Sequence, residues 1–161
     1  MRDDKSILFE RHGKLILLVH GRIAPTKEEW AQYVTFLQEA AEQDVNGLLV
    51  LTDGVGPDST QRRMVSSIEL RTAVVTHSRI ARGIVTALSW MGANIQAFAL
   101  TQIDDSLGFL NVPADDHLAI ARRLAAMRLA VIRLPLSPAE EGSAEVVNEI
   151  VSSSLDALAK R

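Results

Sequence analysis

The chain has no cysteine among its 161 residues. That removes disulfides and thiolate zinc sites outright and fits a reducing compartment. It has no basic excess either: 17 Lys and Arg stand against 20 Asp and Glu, a formal net charge of −3, whereas nucleic acid demands a positive face. No run approaches the roughly 18 apolar residues of a membrane helix. The charged opening MRDDKS carries no signal-peptide pattern. The four histidines, His12, His20, His77 and His117, lack the helical i, i+4 spacing with a carboxylate that a zinc hydrolase needs. Ser78 and Ser89 lack a Gly-x-Ser-x-Gly elbow. The expectation from these absences is a soluble cytoplasmic domain with no metal, cofactor, nucleic acid or integral membrane segment, and an enzyme is not the leading expectation.

What is present is organised around residues 71–100, RTAVVTHSRIARGIVTALSWMGANIQAFAL. Ala73-Val74-Val75 is a short apolar run of the buried-strand kind. Ser78 stands where an N-cap belongs. Ile80, Ile84, Ala87, Leu88 and Met91 recur at three- and four-residue spacing, which predicts one apolar helix face. Gly92 follows as a residue free to take φ > 0, and residues 95–100 form a second apolar run. A helix between two strands is the crossover that a parallel sheet requires.

Around this unit, residues 7–11 and 15–21 read as a hairpin turning at His12-Gly13, with the second strand central and the first nearer an edge. Thr26 and Glu29 form a capping box that opens a helix with the stripe Trp30, Tyr33, Val34, Leu37 and Ala41. Residues 48–51 are a third strand. A Gly/Pro/Asp loop then leads to a short helix capped by Asp58 or Ser59. Asp104 caps a short helix carrying Leu107 and Leu110, which Pro113 ends. Asp115 or Asp116 starts the next, with Leu118, Ala121, Leu124 and Ala125 on one side. Residues 129–136 are apolar enough for a sixth strand, which Pro135 confines to an edge. A last amphipathic helix spans about residues 144–158. The expected fold is thus α/β, a mixed sheet of four to five strands with an N-terminal hairpin. Residues 1–136 form the domain, and residues 137–161 a C-terminal helical extension packed on it or on a partner.

This order resembles the STAS fold of anti-sigma-factor antagonists and sulfate-transporter tails, and most nearly its branch grouped with the CRAL-TRIO lipid-transfer proteins. Leu48-Leu49-Val50-Leu51 leading to Asp58-Ser59, then Ala73-Val74-Val75, then Ala97-Phe98 with Ser106-Leu107-Gly108-Phe109-Leu110 carry the resemblance, over residues 7–112. It implies a regulatory or protein-interaction module. It also implies that Ser59 matches the serine whose phosphorylation switches partner binding in antagonist members. Here Thr60, Gln61, Arg62 and Arg63 follow in place of the family's small residues.

The candidate binding residues lie on two loops expected at the carboxyl edge of the sheet, where α/β proteins bind ligands. They are Asp53, Asp58 and Ser59 on one, and His77, Ser78, Arg79 and Arg82 on the other, with Trp90 as an anchor at a helix end. Helix N-termini and two arginines suit an anion, and the lipid-transfer kinship implies a lipid-like ligand. A protein partner or self-association is the leading expectation. A phospho-receiver with Asp53 as acceptor and Thr76 as hydroxyl is opposed by two gaps: no paired acids follow the first strand, and no lysine follows Leu100.

Overall fold

The computed structural model describes residues 5–52 and 57–131. Asp53, the residues of the expected sixth strand beyond Val131, and the expected C-terminal helix lie outside them. The hairpin is β1 (Ile7–His12) and β2 (Leu15–His20), antiparallel and turning at Gly13 with φ 61°. Then follow α1 (Lys27–Ala41), β3 (Gly47–Thr52), α2 (Ser59–Val65), β4 (Arg71–Thr76), α3 (Arg79–Trp90) and β5 (Ile95–Phe98). A 3-10 turn at Leu100–Gln102 precedes α4 (Ile103–Phe109) and α5 (Ala114–Val131). The strands form one five-stranded sheet in the order β1-β2-β3-β4-β5, parallel from β2 onward.

Strand periodicity divides the sheet into two faces. Leu15, Leu17, Val19, Leu49, Leu51, Ala73 and Val75 point to the face covered by α4 and α5, where Leu107, Ile120, Leu124 and Met127 meet them. Ile16, Leu18 and Leu48 point to the other face, where Trp30, Tyr33, Val34 and Leu37 of α1 pack. Every residue of β2 is buried, as a strand covered on both faces must be.

Local capping follows the sequence closely. Thr26 Oγ1 accepts from Glu29 N at 3.1 Å, and the Glu29 carboxylate accepts from Thr26 N at 2.9 Å. The same carboxylate accepts from the Ser6 amide and hydroxyl, both at 2.7 Å, which ties the chain entering β1 to α1. Burial alone would raise the Glu29 carboxyl, but these donations from Thr26 and Ser6 outweigh it and hold it below its ordinary value. Gly92 has φ 92° just past α3, the left-handed position expected of it.

Several expectations are corrected. Leu129, Ala130 and Val131 belong to α5, not to a sixth strand. Ile120, Leu124, Met127 and Val131 repeat at helical spacing and carry the same buried stripe through to Val131. In α5 the stripe includes His117, Ile120 and Ala121, while Leu118 is half-buried. In α1 it includes Ala40 rather than Ala41. Asp104 is not the N-cap of α4: it lies in the first turn of that helix, and its carboxylate bonds His117 Nδ1 on α5. Asp115 and Asp116 likewise lie inside the first turn of α5. Asp58, not Ser59, is the N-cap of α2, with its own capping box to Gln61.

Candidate functional site

The strand order explains why one sheet face is left partly open. The crossover helices α1, α2 and α3 all lie on the face of Leu18, Val50 and Val74. Such a face needs three covering helices. α1 covers its own part with five buried residues. α2 has seven residues and buries none. α3 buries only Val85. Its predicted apolar face is therefore not packed: Ile80 is 79% exposed, and Ile84 and Met91 are exposed too. Between α1, α2, α3 and the sheet lies a cavity of about 420 Å³, within the size range of small-molecule sites.

Sheet register lays out the cavity floor in rows. Leu18, Val50 and Val74 form one row, and Leu48, Thr72 and Ile95 belong to the next towards the amino end. At the carboxyl end the row turns polar, with His20 opposite Thr52 and Thr52 opposite Thr76. Ser78 adds a hydroxyl at that end, while Ile80, Ile84 and Leu88 of α3 line the mouth. Around the walls, Trp30 Nε1 donates to Gln61 O at 3.3 Å, and Thr72 Oγ1 donates to Leu70 O at 3.0 Å. His20 is 3% exposed, and its Nδ1 has no hydrogen-bond partner among the described residues. Burial pushes its pKa down to about 4, so the ring is neutral near pH 7. Burial also raises the Tyr33 phenol well above its ordinary value.

The residues singled out from sequence do not form one site. Ser78 lines the cavity, and its Oγ accepts from Ala81 N at 3.1 Å as the cap of α3. Asp58 accepts from Gln61 N at 2.8 Å as the cap of α2. Ser59 is exposed at the first position of that helix. His77 and Arg79 are exposed and Arg82 is half-buried; none of the three lines the cavity. Trp90 is 84% exposed, but at the far end of α3. At 1.5 Å per residue it stands roughly 18 Å from Ser78, so it cannot share a site with the carboxyl-edge loops. Nor does the strand order reverse anywhere among the parallel strands. The crevice that a reversal creates in α/β sheets is therefore missing, and the concavity lies on the sheet face instead.

Sequence reasoning missed His20, Trp30 and Tyr33 as cavity-lining residues. A legible signal existed: His20 ends an otherwise apolar strand, and STQRRMV of α2 offers little apolar surface to cover a sheet. A second hollow, over Phe98 and the starts of α4 and α5, is lined by Asp104, Asp105 and Asp115. There His117 is fully engaged, Nδ1 with Asp104 and Nε2 donating to Val112 O at 2.9 Å, and the pair joins α4 to α5. No group of three or more His, Cys, Asp or Glu among the described residues could hold a metal ion. No helix among them is long and apolar enough to cross a membrane. The chain matches no protein-family model and no curated protein.

Proposed function

We propose that this chain is a binding domain for a small lipid-like ligand, held between the sheet and the helices α1, α2 and α3. The cavity of about 420 Å³, floored by Leu18, Val50 and Val74, carries this reading. An apolar body entering it would bury the surface that α2 and α3 leave open, at about 25 cal/mol per Å² of apolar area. An anionic ligand has less support, because Arg79 and Arg82 stand outside the lining and the cation among the described lining residues, Arg62, is exposed to solvent. The test is fluorescence of N-phenyl-1-naphthylamine, a neutral probe that brightens in apolar sites. The wild type is expected to bind it saturably. Ala81→Phe, which points a ring into the cavity from α3, is expected to weaken that binding at least tenfold. Absence of saturable binding, or equal binding by both proteins, overturns the reading.

A regulatory or protein-interaction module with a STAS-like core is the second reading. Its support is the hairpin followed by three helix-strand alternations, together with exposed Trp90 and Met91 at the end of α3. Large exposed aromatics are frequent interface anchors. Ser59, exposed on α2, is the modification point this reading would use. Trp90→Ala should then abolish partner recovery from host lysate while shifting stability by less than about 0.5 kcal/mol. Unchanged recovery would refute it.

A further inference from the structure

We propose that the outer face of α3, with α2 beside it, is a docking surface for an anionic lipid bilayer, on which the domain rests without crossing it. The inference goes beyond the reading of the cavity and does not depend on it.

Three observations converge. The first is where the exposed apolar side chains lie. Of the seven large ones exposed among the described residues, Met64 is on α2, and Ile80, Ile84, Trp90 and Met91 are on α3 and its C-cap. Ile80, Ile84, Ala87 and Met91 recur at intervals of four, three and four residues, so they share one side of the helix. All four are exposed. At about 100° per residue, Val85, the buried residue of α3, lies on a different side. The second observation is charge. α2 and α3 carry Arg62, Arg63, Arg79 and Arg82 and no Asp or Glu, in a chain of net charge −3. Asp58 and Glu69, which flank α2, lie outside both helices and off the cavity lining. Arg62, Ile80 and Ile84 border the same cavity, so charge from α2 and the stripe of α3 meet on one face. A layer of anionic headgroups complements that face. The third is Trp90, exposed at the end of α3. At about 100° per residue, Arg79 and Trp90 fall on the same flank of the stripe. An apolar stripe flanked by a cation and an indole is the layout of a helix lying in the headgroup region. There tryptophan sits at headgroup level, and the arginine stem runs along apolar surface with its charge in water.

The same observations weigh against a second copy on this face. Two α3 helices set face to face would oppose arginine to arginine, with no acid on either helix to answer them. A bilayer supplies negative charge to every arginine and takes up projecting side chains without a matched pocket.

The experiment sediments the full chain with vesicles of phosphatidylcholine, alone or mixed equally with phosphatidylglycerol. The chain should sediment with the mixed vesicles and stay in solution with phosphatidylcholine alone. Its two tryptophans differ in environment, Trp30 being buried and Trp90 exposed. Mixed vesicles should therefore shift the Trp90 emission to shorter wavelength and shield it from acrylamide, a readout that needs no variant. Arg79→Gln combined with Arg82→Gln should weaken vesicle binding at least tenfold, at about fivefold per arginine. Ile80→Ser should weaken it at least fivefold, and the exposure of Ile80 lets that variant keep its fold. No sedimentation with mixed vesicles, equal sedimentation with both compositions, or an unmoved Trp90 emission overturns the proposal. So does binding at the wild-type level by either variant. A dimer seen by sedimentation equilibrium and lost in Ile80→Ser, without vesicle binding, overturns it in favour of a second copy. Saturable binding of N-phenyl-1-naphthylamine would survive each of these failures, so the cavity reading is judged separately.

Discussion

The buried neutral imidazole makes a quantitative forecast about acid. His20 should titrate near 6.5 when unfolded, and burial pushes it down to about 4 in the fold. Between those values the unfolded chain binds a proton that the folded chain refuses. Stability therefore rises with pH across this window: it is full above about 6.5 and falls as pH drops towards 4. At about 1.36 kcal/mol per pH unit, the loss is about 2 kcal/mol at pH 5 and about 3 kcal/mol by pH 4. The carboxylates held below their ordinary value among the described residues, Glu10, Glu29 and Asp44, titrate at about 4.5 or lower when unfolded, so their stabilisation is lost mainly below that pH. The upper part of the window therefore belongs to histidine. His20→Phe removes the titrating group and keeps a ring against Trp30, whose centroid lies 6.0 Å from that of His20. Urea denaturation at pH 7 and pH 5 measures the effect. The wild-type midpoint should fall by about 1 M, given the slope expected of a domain this size. The variant should lose less than a third of that. Equal losses in both proteins would refute the reasoning, because the acid sensitivity would then lie elsewhere.

Gly21→Ala should destabilise by about 1–3 kcal/mol, because the added Cβ would lie 2.4 Å from Val131 Cγ1 and 3.1 Å from Ser6 O. Val131→Ala in the same chain should relieve part of that loss, and strictly additive losses in urea denaturation would count against the clash. Asp58→Ala should cost about 0.5–2 kcal/mol through loss of the α2 cap, whereas Ser59→Ala should stay within about 0.5 kcal/mol. Thermal melts of both variants check this, and a larger effect at Ser59 would reverse the capping assignment.

The sequence by itself determined the order of the elements up to β5 and several of their ends, because those signals are local. Thr26 with Glu29, Ser78 before α3, and Gly92 after it act within one turn of chain, and each takes the role its spacing predicts. The continuous apolar run of β2 likewise reports a strand buried on both faces. Only the tertiary structure decided what meets what. Ile80, Ile84 and Met91 have the spacing of a packed helix face, yet stand open because α2 is too short to close the sheet beside them. Leu129-Ala130-Val131 has strand-like composition, yet continues α5 because its stripe stays in phase with Leu124 and Met127 on the sheet. Trp90 and Ser78 share one helix, but its length holds them at opposite ends. His20 becomes a cavity wall through the register of β2 on β3 and the stacking of three crossovers on one face. Periodicity fixes which residues share a side of an element. Coverage of that side depends on neighbours remote in sequence, and one-dimensional patterning does not carry it.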